Sequence, residues 1–185
     1  ERLNSLVTKI LIPPKKLKLE AFNIHSALEK VFALSQADEQ KNLKINRDYD
    51  PSIPEIHGDE NLFIQATLNI IKNAQQALLV TENPSITIKS RVAYGQPING
   101  NIHSTVCDVS IIDNGPGIPL DIQEQVFFPM VSTKEDGSGL GLSISQDIIR
   151  IHGGAISFTT KSGETIFSIL MPINIESNNK EVLSA

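Results

Sequence analysis

The sequence predicts an α/β sandwich: a mixed, largely antiparallel sheet with about three helices packed on one face. Two observations carry this. Stretches of apolar alternation and of helical spacing follow one another as strand, helix, strand, helix, strand pair, helix, strand pair. In the two late pairs no helix separates the strands, and the second is joined by Lys161-Ser162-Gly163-Glu164, a hairpin signal. Antiparallel pairing therefore outweighs the crossovers that a doubly wound sheet needs.

The elements run as follows. Residues 1–12 place Leu3, Leu6, Val7 and Ile10 at helical spacing, and Pro13-Pro14 ends that helix. Neither proline donates a backbone hydrogen bond, and the second pushes the first out of helical geometry. So short a segment reads as the end of a helix belonging to something upstream, as does a first residue that is Glu1 rather than Met. Lys15-Lys16-Leu17-Lys18 is a basic connector, most simply a solvated one. Residues 19–24 predict a strand. Residues 25–40 predict a helix with Leu28, Val31, Phe32 and Ser35 on one side, and 42–49 a second strand. After the turn-rich Asp50-Pro51-Ser52-Ile53-Pro54, Asp59 is placed to cap a long helix over 60–79 that ends before Asn83-Pro84. Strands over 85–93 and 104–112 flank a Gly/Pro/Asn-rich loop at 95–101, and 113–138 shows no clear period. A helix over 140–151 ends at His152-Gly153-Gly154, where an imidazolium would suit the helix dipole. Strands over 155–160 and 165–171 close the fold before a polar tail. Three units result: 1–14 as helix end and linker, 15–173 as the working domain, and 174–185 as a flexible tail.

The chain has 185 residues, 40% of them hydrophobic, and a formal charge of −5. That length suits one domain with a real core. Net acidity argues against a nucleic-acid or membrane-surface partner, which calls for a basic stripe. No apolar run reaches the roughly 18 residues of a membrane span. Cys107 is the only cysteine, so neither a disulfide framework nor a zinc knuckle is available. A soluble, cytoplasmic protein is the expectation.

Three constellations carry chemistry. Gln65, Asn69, Asn73 and Gln76 recur by four, four and three along the long helix and form a face almost free of charge. They read either as core amides satisfied by backbone or as the wall of a polar cleft. In a cleft, an asparagine oxygen can ligate a hard cation such as Mg²⁺. Asp113 continues the inward stripe Thr105, Cys107, Val109, Ile111 into Asn114-Gly115-Pro116-Gly117-Ile118. A carboxylate there is costly unless something donates to it. It is either a turn aspartate bonding its own loop or an acceptor for a ligand's amino group, with glycines admitting a planar ring. Finally, Gly137-Ser138-Gly139-Leu140-Gly141-Leu142 enters a helix and leaves bare N–H groups for phosphate. It is neither a P-loop nor the dinucleotide fingerprint. Lys134, just upstream, could add a point charge or be an ordinary exposed lysine. In this order, the three are parts that a purine nucleoside triphosphate needs.

With these motifs the sequence resembles the catalytic and ATP-binding domain of bacterial sensor histidine kinases. These belong to the wider superfamily that includes DNA gyrase B and the Hsp-ninety chaperones. Asn69-Ile70-Ile71-Lys72-Asn73-Ala74 resembles the N box, Asp113–Ile118 the first glycine box, Val126-Phe127-Phe128-Pro129-Met130 the F box, and Gly137–Leu142 the second glycine box. Gly163-Glu164-Thr165-Ile166-Phe167 resembles the last block. Phe127–Ser132 and Arg47–Pro51 look like the nitrogen-regulation branch. The resemblance covers roughly residues 19–172 and implies the Bergerat ATP-binding fold. It also implies roles: Asp113 on the adenine amine, Asn73 with Asn69 on Mg²⁺, and Gly139, Leu140 and Gly141 on the phosphates. Gly115, Gly117, Ile118, Gln76, Gly137, Ser138, Leu142 and Thr165 join them around ATP, with Thr165 near the adenine. A lid over 128–138 brings Phe128, Thr133 and Lys134. Ser138 stands where threonine is commoner, and Gln75-Gln76 where some relatives carry a basic residue.

The hydrolytic members of the superfamily place a glutamate four residues before the magnesium asparagine, as base for water. Here that position is Asn69, which takes no proton at neutral pH. Phosphoryl transfer to an imidazole fits better, since the domain then mainly positions the γ-phosphate. None of His25, His57, His103 or His152 has the acidic residue and Asn-Pro that follow an acceptor histidine. The acceptor is expected on an upstream dimerisation domain of a homodimer. A response regulator of NtrC type and the PII signalling protein are the further partners the resemblance implies. A non-catalytic ATP-sensing module and a gyrase-type ATPase remain as alternatives.

Overall fold

The computed structural model describes residues 17–36, 42–131 and 139–173. The expected upstream helix end in 1–14, the start of the basic linker, and the tail from 174 lie outside them. Strand β1 (Glu20–Phe22) leads to Asn23, whose side-chain oxygen accepts from the backbone N–H groups of His25 (2.9 Å) and Ser26 (3.0 Å) and so opens helix α1 (Ile24–Ser35). Ile24, Ala27, Leu28, Val31 and Ser35 form its buried face. Phe32 sits at the margin instead, with the Arg47 guanidinium 4.2 Å over its ring. The helix closes at Gln36 rather than running to 40, and residues 37–41 are not among those described.

Strand β2 (Lys44–Tyr49) is followed by β3 (Ile56–Gly58), helix α2 (Glu60–Ala77) and a 3₁₀ turn at Leu78–Val80. Asp59 caps α2 as expected, accepting from Asn61 and Leu62 N–H. Strands β4 (Ser85–Ile98) and β5 (Asn101–Asp113) precede a single short turn of helix, α3 (Leu120–Gln123). Helix α4 (Gly141–Ile151) and strands β6 (Ala155–Lys161) and β7 (Glu164–Pro172) complete the chain. The main sheet has the order β2-β4-β5-β7-β6. Only β2 and β4 pair in parallel, because α2 is the crossover between them. The sandwich expected from the sequence is thus the one observed, with α2 packed against both α1 and α4. Phe63, Ile70 and Ile71 of α2 meet Ile86, Ile88, Val109, Ile111 and Ile169 of the sheet and Ile148 of α4 in one core. Full burial of each such side chain contributes about 1.5–3 kcal/mol.

Three sequence expectations are corrected. The loop expected at 95–101 is strand, since β4 and β5 continue to a two-residue turn at Asn99-Gly100, with φ of 50° and 84°. Such a turn matches the twist of the strands it joins. Gly95, at φ 63°, interrupts pairing without shifting the register. Second, the stretch between the turn-rich bridge and Asp59, to which no element is assigned from sequence, holds β3, which pairs with β1 in a separate two-stranded ribbon. Third, His152 is no helix-end cation. Its Nε2 accepts from the Asp59 N–H at 2.8 Å, and Nδ1 lies 2.6 Å from the Ile148 carbonyl. A backbone N–H can only donate, so Nε2 is unprotonated and the neutral ring bridges the end of α4 to the start of α2.

Another histidine gives a measurable pH dependence. The His25 ring stacks on Tyr49 (centroids 5.2 Å, 13°), with Nε2 3.0 Å from the Oγ of fully buried Ser90. Burial holds its pKa below the ordinary histidine value, outweighing the opposing pull of Asp50. The folded chain thus favours the neutral ring, whereas an unfolded chain takes up a proton as pH falls through about 6.5. The His25 contribution is complete above that value and is lost as pH drops from it toward the lower folded pKa. Denaturant midpoints measured from pH 7.5 to 5 should fall more steeply for the native sequence than for His25→Gln. Parallel curves would contradict this.

Candidate functional site

The site is organised by one stripe of α2. Asn69, Asn73 and Ala77 are spaced by four and lie one above another, about 6 Å apart along the axis. At the first of them, the Asn69 side-chain amide donates to the Gly141 carbonyl at 3.2 Å, and a Cβ built on Gly141 would lie 3.8 Å from the Asn69 Cβ. At the last, the Ala77 Cβ lies 3.6 Å from where a Cβ on Gly115 would stand. Asn73, half-buried, is midway between the start of α4 and the glycine loop after β5. Gln65 and Gln76 are exposed at either end of the face. The amide that proves structural is a neighbour: buried Gln75 donates through Nε2 to the Ser35 carbonyl at 2.9 Å, tying α2 to the end of α1.

Asp113 ends the inward stripe of β5 and is 4% exposed, beside Thr165, its cross-strand partner on β7, also at 4%. Burial pushes the Asp113 carboxyl above the usual carboxylate range, against the Gly115 N–H, which donates to Oδ1 at 2.9 Å. The glycine loop is tied from both sides. The Ile118 N–H donates to Thr160 Oγ1 (3.0 Å), the Gly163 N–H to the Gly115 carbonyl (3.1 Å), and Asn114 bridges the Ser85 N–H and the Asn83 carbonyl. Gly117 sits at φ 89°, and a Cβ there would stand 2.8 Å from the Lys161 carbonyl oxygen. Only glycine meets both conditions.

Helix α4 starts without a side-chain cap and with no acidic residue in its first turn. The N–H groups of that turn, beginning with those of Gly141 and Leu142, are the orphan donors that bind anions. Gly139 and Leu140 lead into it. Gly139, at φ 64°, accepts from the Met130 N–H at 3.0 Å, and a Cβ on Gly139 would lie 2.7 Å from the Met130 carbonyl carbon. Met130 is itself left-handed at φ 64°. The segment between them, with Ser132, Thr133, Lys134, Gly137 and Ser138, lies outside the described residues. Phe128 is 59% exposed, while Phe127 packs edge-on against Phe158 (5.9 Å) and Phe167 (6.3 Å) and anchors this stretch to the sheet.

The structure therefore links Asn69 to the start of α4 through Gly141, Ala77 to the glycine loop at Gly115, and Asp113 to Gly115 and its cross-strand neighbour Thr165. Asn73 lies between the two ends of the α2 stripe, with Gly117, Ile118, Gly139 and Leu140 on the flanking loops and Leu142 in the first turn of α4. Sequence reading gave no role to Thr160 or Ala77, and none of its own to Asn114 or Met130 within the boxes that contain them. The period-two pattern of β6 would have flagged Thr160, since it follows Ile156 and Phe158 on the inward face. Among the described residues no group of three His, Cys, Asp or Glu could hold a metal. Amide oxygens beside a phosphate site do fit a hard cation such as Mg²⁺, which keeps most of its ligands as water and phosphate. No helix among the described residues is long and apolar enough to cross a membrane.

A buried carboxylate, a charge-free amide stripe and an uncapped glycine-rich helix start, set on a mixed sandwich, define an ATP-binding domain of the kind shared by kinases and ATPases. Residues 58–175 match the family described as histidine kinase-, DNA gyrase B- and HSP90-like ATPase, and the chain belongs to that family. Within it, the chain is similar to the sensory histidine kinase/phosphatase NtrB of Vibrio alginolyticus, 45% identical over 173 residues, covering 94% of this chain and 49% of that protein. The NtrB of Salmonella typhimurium is 40% identical over the same shares. The chain spans about half the length of the curated relatives it matches. Among solved structures, the catalytic domain of histidine kinase ThkA aligns with a TM-score of 0.70 and 29% identity, over 84% of this chain and 95% of that one. Full-length ShkA, solved in complex with AMPPNP, aligns at 0.69 and 26%, over 92% of this chain and 36% of that one. ThkA in complex with the response regulator TrrA aligns at 0.70 and 28%, over 95% and 48%.

Asp113 gives a prediction with opposite signs for stability and binding. A raised carboxyl pKa means that the charged form costs the folded state free energy at neutral pH, a cost that appears as pH rises past the unfolded value near 3.9. Asp113→Asn removes the charge yet keeps an oxygen for the Gly115 N–H. At pH 7 the ligand-free variant should melt no lower than the native chain while binding ATP at least ten-fold more weakly. A lower melting point with intact binding would contradict the assignment. Gly117→Ala should cost about 1–3 kcal/mol in denaturant unfolding, from left-handed strain and overlap with the Lys161 carbonyl.

Proposed function

We propose that this chain holds Mg-ATP for transfer of its γ-phosphoryl group to a histidine on another domain of the same protein, within nitrogen-responsive two-component signalling. The observation that carries the reading is the spacing along α2. Asn73 stands between the bare N–H groups of α4 and the loop that presents Asp113, which is where a triphosphate anchored by its base would pass. Asp113 accepts from the adenine amine, and Gly115 and Gly117 let the ring lie against backbone. Asn73 and Asn69 would hold Mg²⁺ through their side-chain oxygens, since the Asn69 nitrogen is occupied by the Gly141 carbonyl. Bound Mg²⁺ supplies charge neutralisation on the β- and γ-phosphates. Gly139, Leu140, Gly141 and Leu142 offer backbone donors to the phosphate chain. Thr133, Lys134, Gly137, Ser138, Phe128 and Gln76 complete the proposed contacts.

Asn69 also decides what the site does with the phosphoryl group. It stands one helical turn before Asn73, where a base for water would be, and an amide cannot serve as one. An imidazole acceptor needs little deprotonation, so positioning and charge neutralisation suffice. The acceptor would lie on an upstream dimerisation domain, with a response regulator of NtrC type receiving the phosphoryl group and PII regulating the whole in the cytoplasm. The relatives named NtrB support the nitrogen-responsive setting, and the ThkA–TrrA complex supports a response regulator as partner.

Titration with a fluorescent ATP analogue should show Mg²⁺-dependent binding. Asn73→Ala should remove most of the Mg²⁺ dependence and weaken binding ten-fold or more, and Asp113→Ala should abolish binding. Mixed with a separately prepared acceptor-histidine domain, the chain should transfer label from γ-labelled ATP while releasing little free phosphate. Tight binding without transfer would refute the kinase role.

A further inference from the structure

Three side chains lie in a row across the inward face of the sheet beside the glycine loop: Asp113 on β5, Thr165 opposite it on β7, and Thr160 opposite that on β6. Directly opposed residues have Cβ atoms about 4.5–5.5 Å apart. Thr160 Oγ1 and Thr165 Oγ1 are 3.1 Å apart, and either could be the donor. One end of the chain is fixed in direction. The Ile118 N–H donates to Thr160 Oγ1 at 3.0 Å, and a backbone N–H never accepts. Thr160 then has a single hydrogen to place, and Thr165 Oγ1 is within its reach. When Thr160 donates to Thr165, the Thr165 hydrogen is left for a further acceptor, beside Asp113, its cross-strand neighbour.

We propose that Thr160 is a positioning residue for base selection: it orders the relay Ile118 N–H to Thr160 to Thr165, so that Thr165 faces the ligand as a donor beside the acceptor Asp113. This rests on the reading of Asp113 as the adenine contact and deepens it. An acceptor next to a donor matches the exocyclic amine and neighbouring ring nitrogen of adenine. Guanine offers a carbonyl and a ring N–H in the same places, so both partners are mismatched. Discrimination between purines therefore depends on a hydroxyl two strands away from Asp113. Thr160→Val keeps the shape and removes the relay, whereas Thr160→Ser keeps the hydroxyl.

The test is calorimetric binding of ADP and GDP to the chain and its variants. Thr160→Val should weaken ADP about 3- to 10-fold, the size of one lost hydrogen bond, and leave GDP unweakened, so that the ADP-to-GDP preference narrows. Thr160→Ser should restore the preference, and adding Thr160→Val to Thr165→Val should cost nothing further. A merely structural loosening of the loop would weaken both nucleotides alike and overturn the relay, as would a Thr160→Ser variant that behaves like Thr160→Val. The native chain provides a measurement independent of any variant. ADP whose ring nitrogen beside the amine is replaced by carbon should bind about 3- to 10-fold more weakly than ADP, and equal affinity would overturn the relay. If the native chain binds no adenine nucleotide, the adenine reading of Asp113 fails and the relay with it. If it binds ADP normally and the preference is unmoved, only the relay fails.

Discussion

The burial of Asp113 is the constraint around which the cleft is arranged. Its strand sends Cys107, Val109 and Ile111 into the core, and the next inward position carries a carboxylate at 4% exposure. Desolvation works against its charge, and the donor that the chain itself sets against it is the Gly115 N–H. The loop must therefore turn back sharply over the carboxylate. A Cβ on Gly115 would stand 2.7 Å from Asp113 Oδ1, so a side chain on the residue that donates would push that oxygen out of its present place. The ties from Thr160, Gly163 and Asn114 hold that turn in place. A group kept charged at such a cost, beside a second buried polar side chain, is poised for a partner that brings its own donor.

Helix α2 sets the other dimension. It packs against both other long helices, so its register is fixed by core contacts at Phe63, Ala66, Ile70 and Ala74. The stripe one position round carries Asn69, Asn73 and Ala77, and each depends on that register. Ala77 must be small for Gly115 to approach, and Asn69 must be short for α4 to begin beside it. Ser145 of α4 reinforces the second contact by donating within reach of both the Ala66 and Gly141 carbonyls, at 3.0 and 2.9 Å. The spacing between the start of α4 and the glycine loop after β5 is thus set by helix geometry, not by loops.

Much of this was legible in the sequence because it rests on short-range rules. Asp59 as a cap, the inward stripe ending at Asp113, and glycine after α4 are all local patterns, and the structure follows them. What stayed hidden depends on pairing at a distance. The Gly/Pro/Asn composition of 95–101 outweighed Asn99-Gly100, the one dipeptide there that joins strands rather than ending them. Strand β3 has too few residues to show a period and exists because β1 pairs with it. His152 looked like a helix-end cation because its partner, the Asp59 N–H, is far away in sequence. Of Phe127 and Phe128, only packing against Phe158 and Phe167 shows which one is the anchor.

The amide at position 69 links these constraints to chemistry. A glutamate there would be a charge facing the phosphate end of the cleft, and its carboxylate would repel the Gly141 carbonyl at the distance where the Asn69 nitrogen now donates. Asparagine instead ties α2 to the start of α4 and keeps an oxygen on the cleft side. The contact that closes the two helices together thereby occupies the place of a base for water. Under the proposed reading, a site built this way favours holding a triphosphate over cleaving it, and leaves the nucleophile to arrive on a different surface.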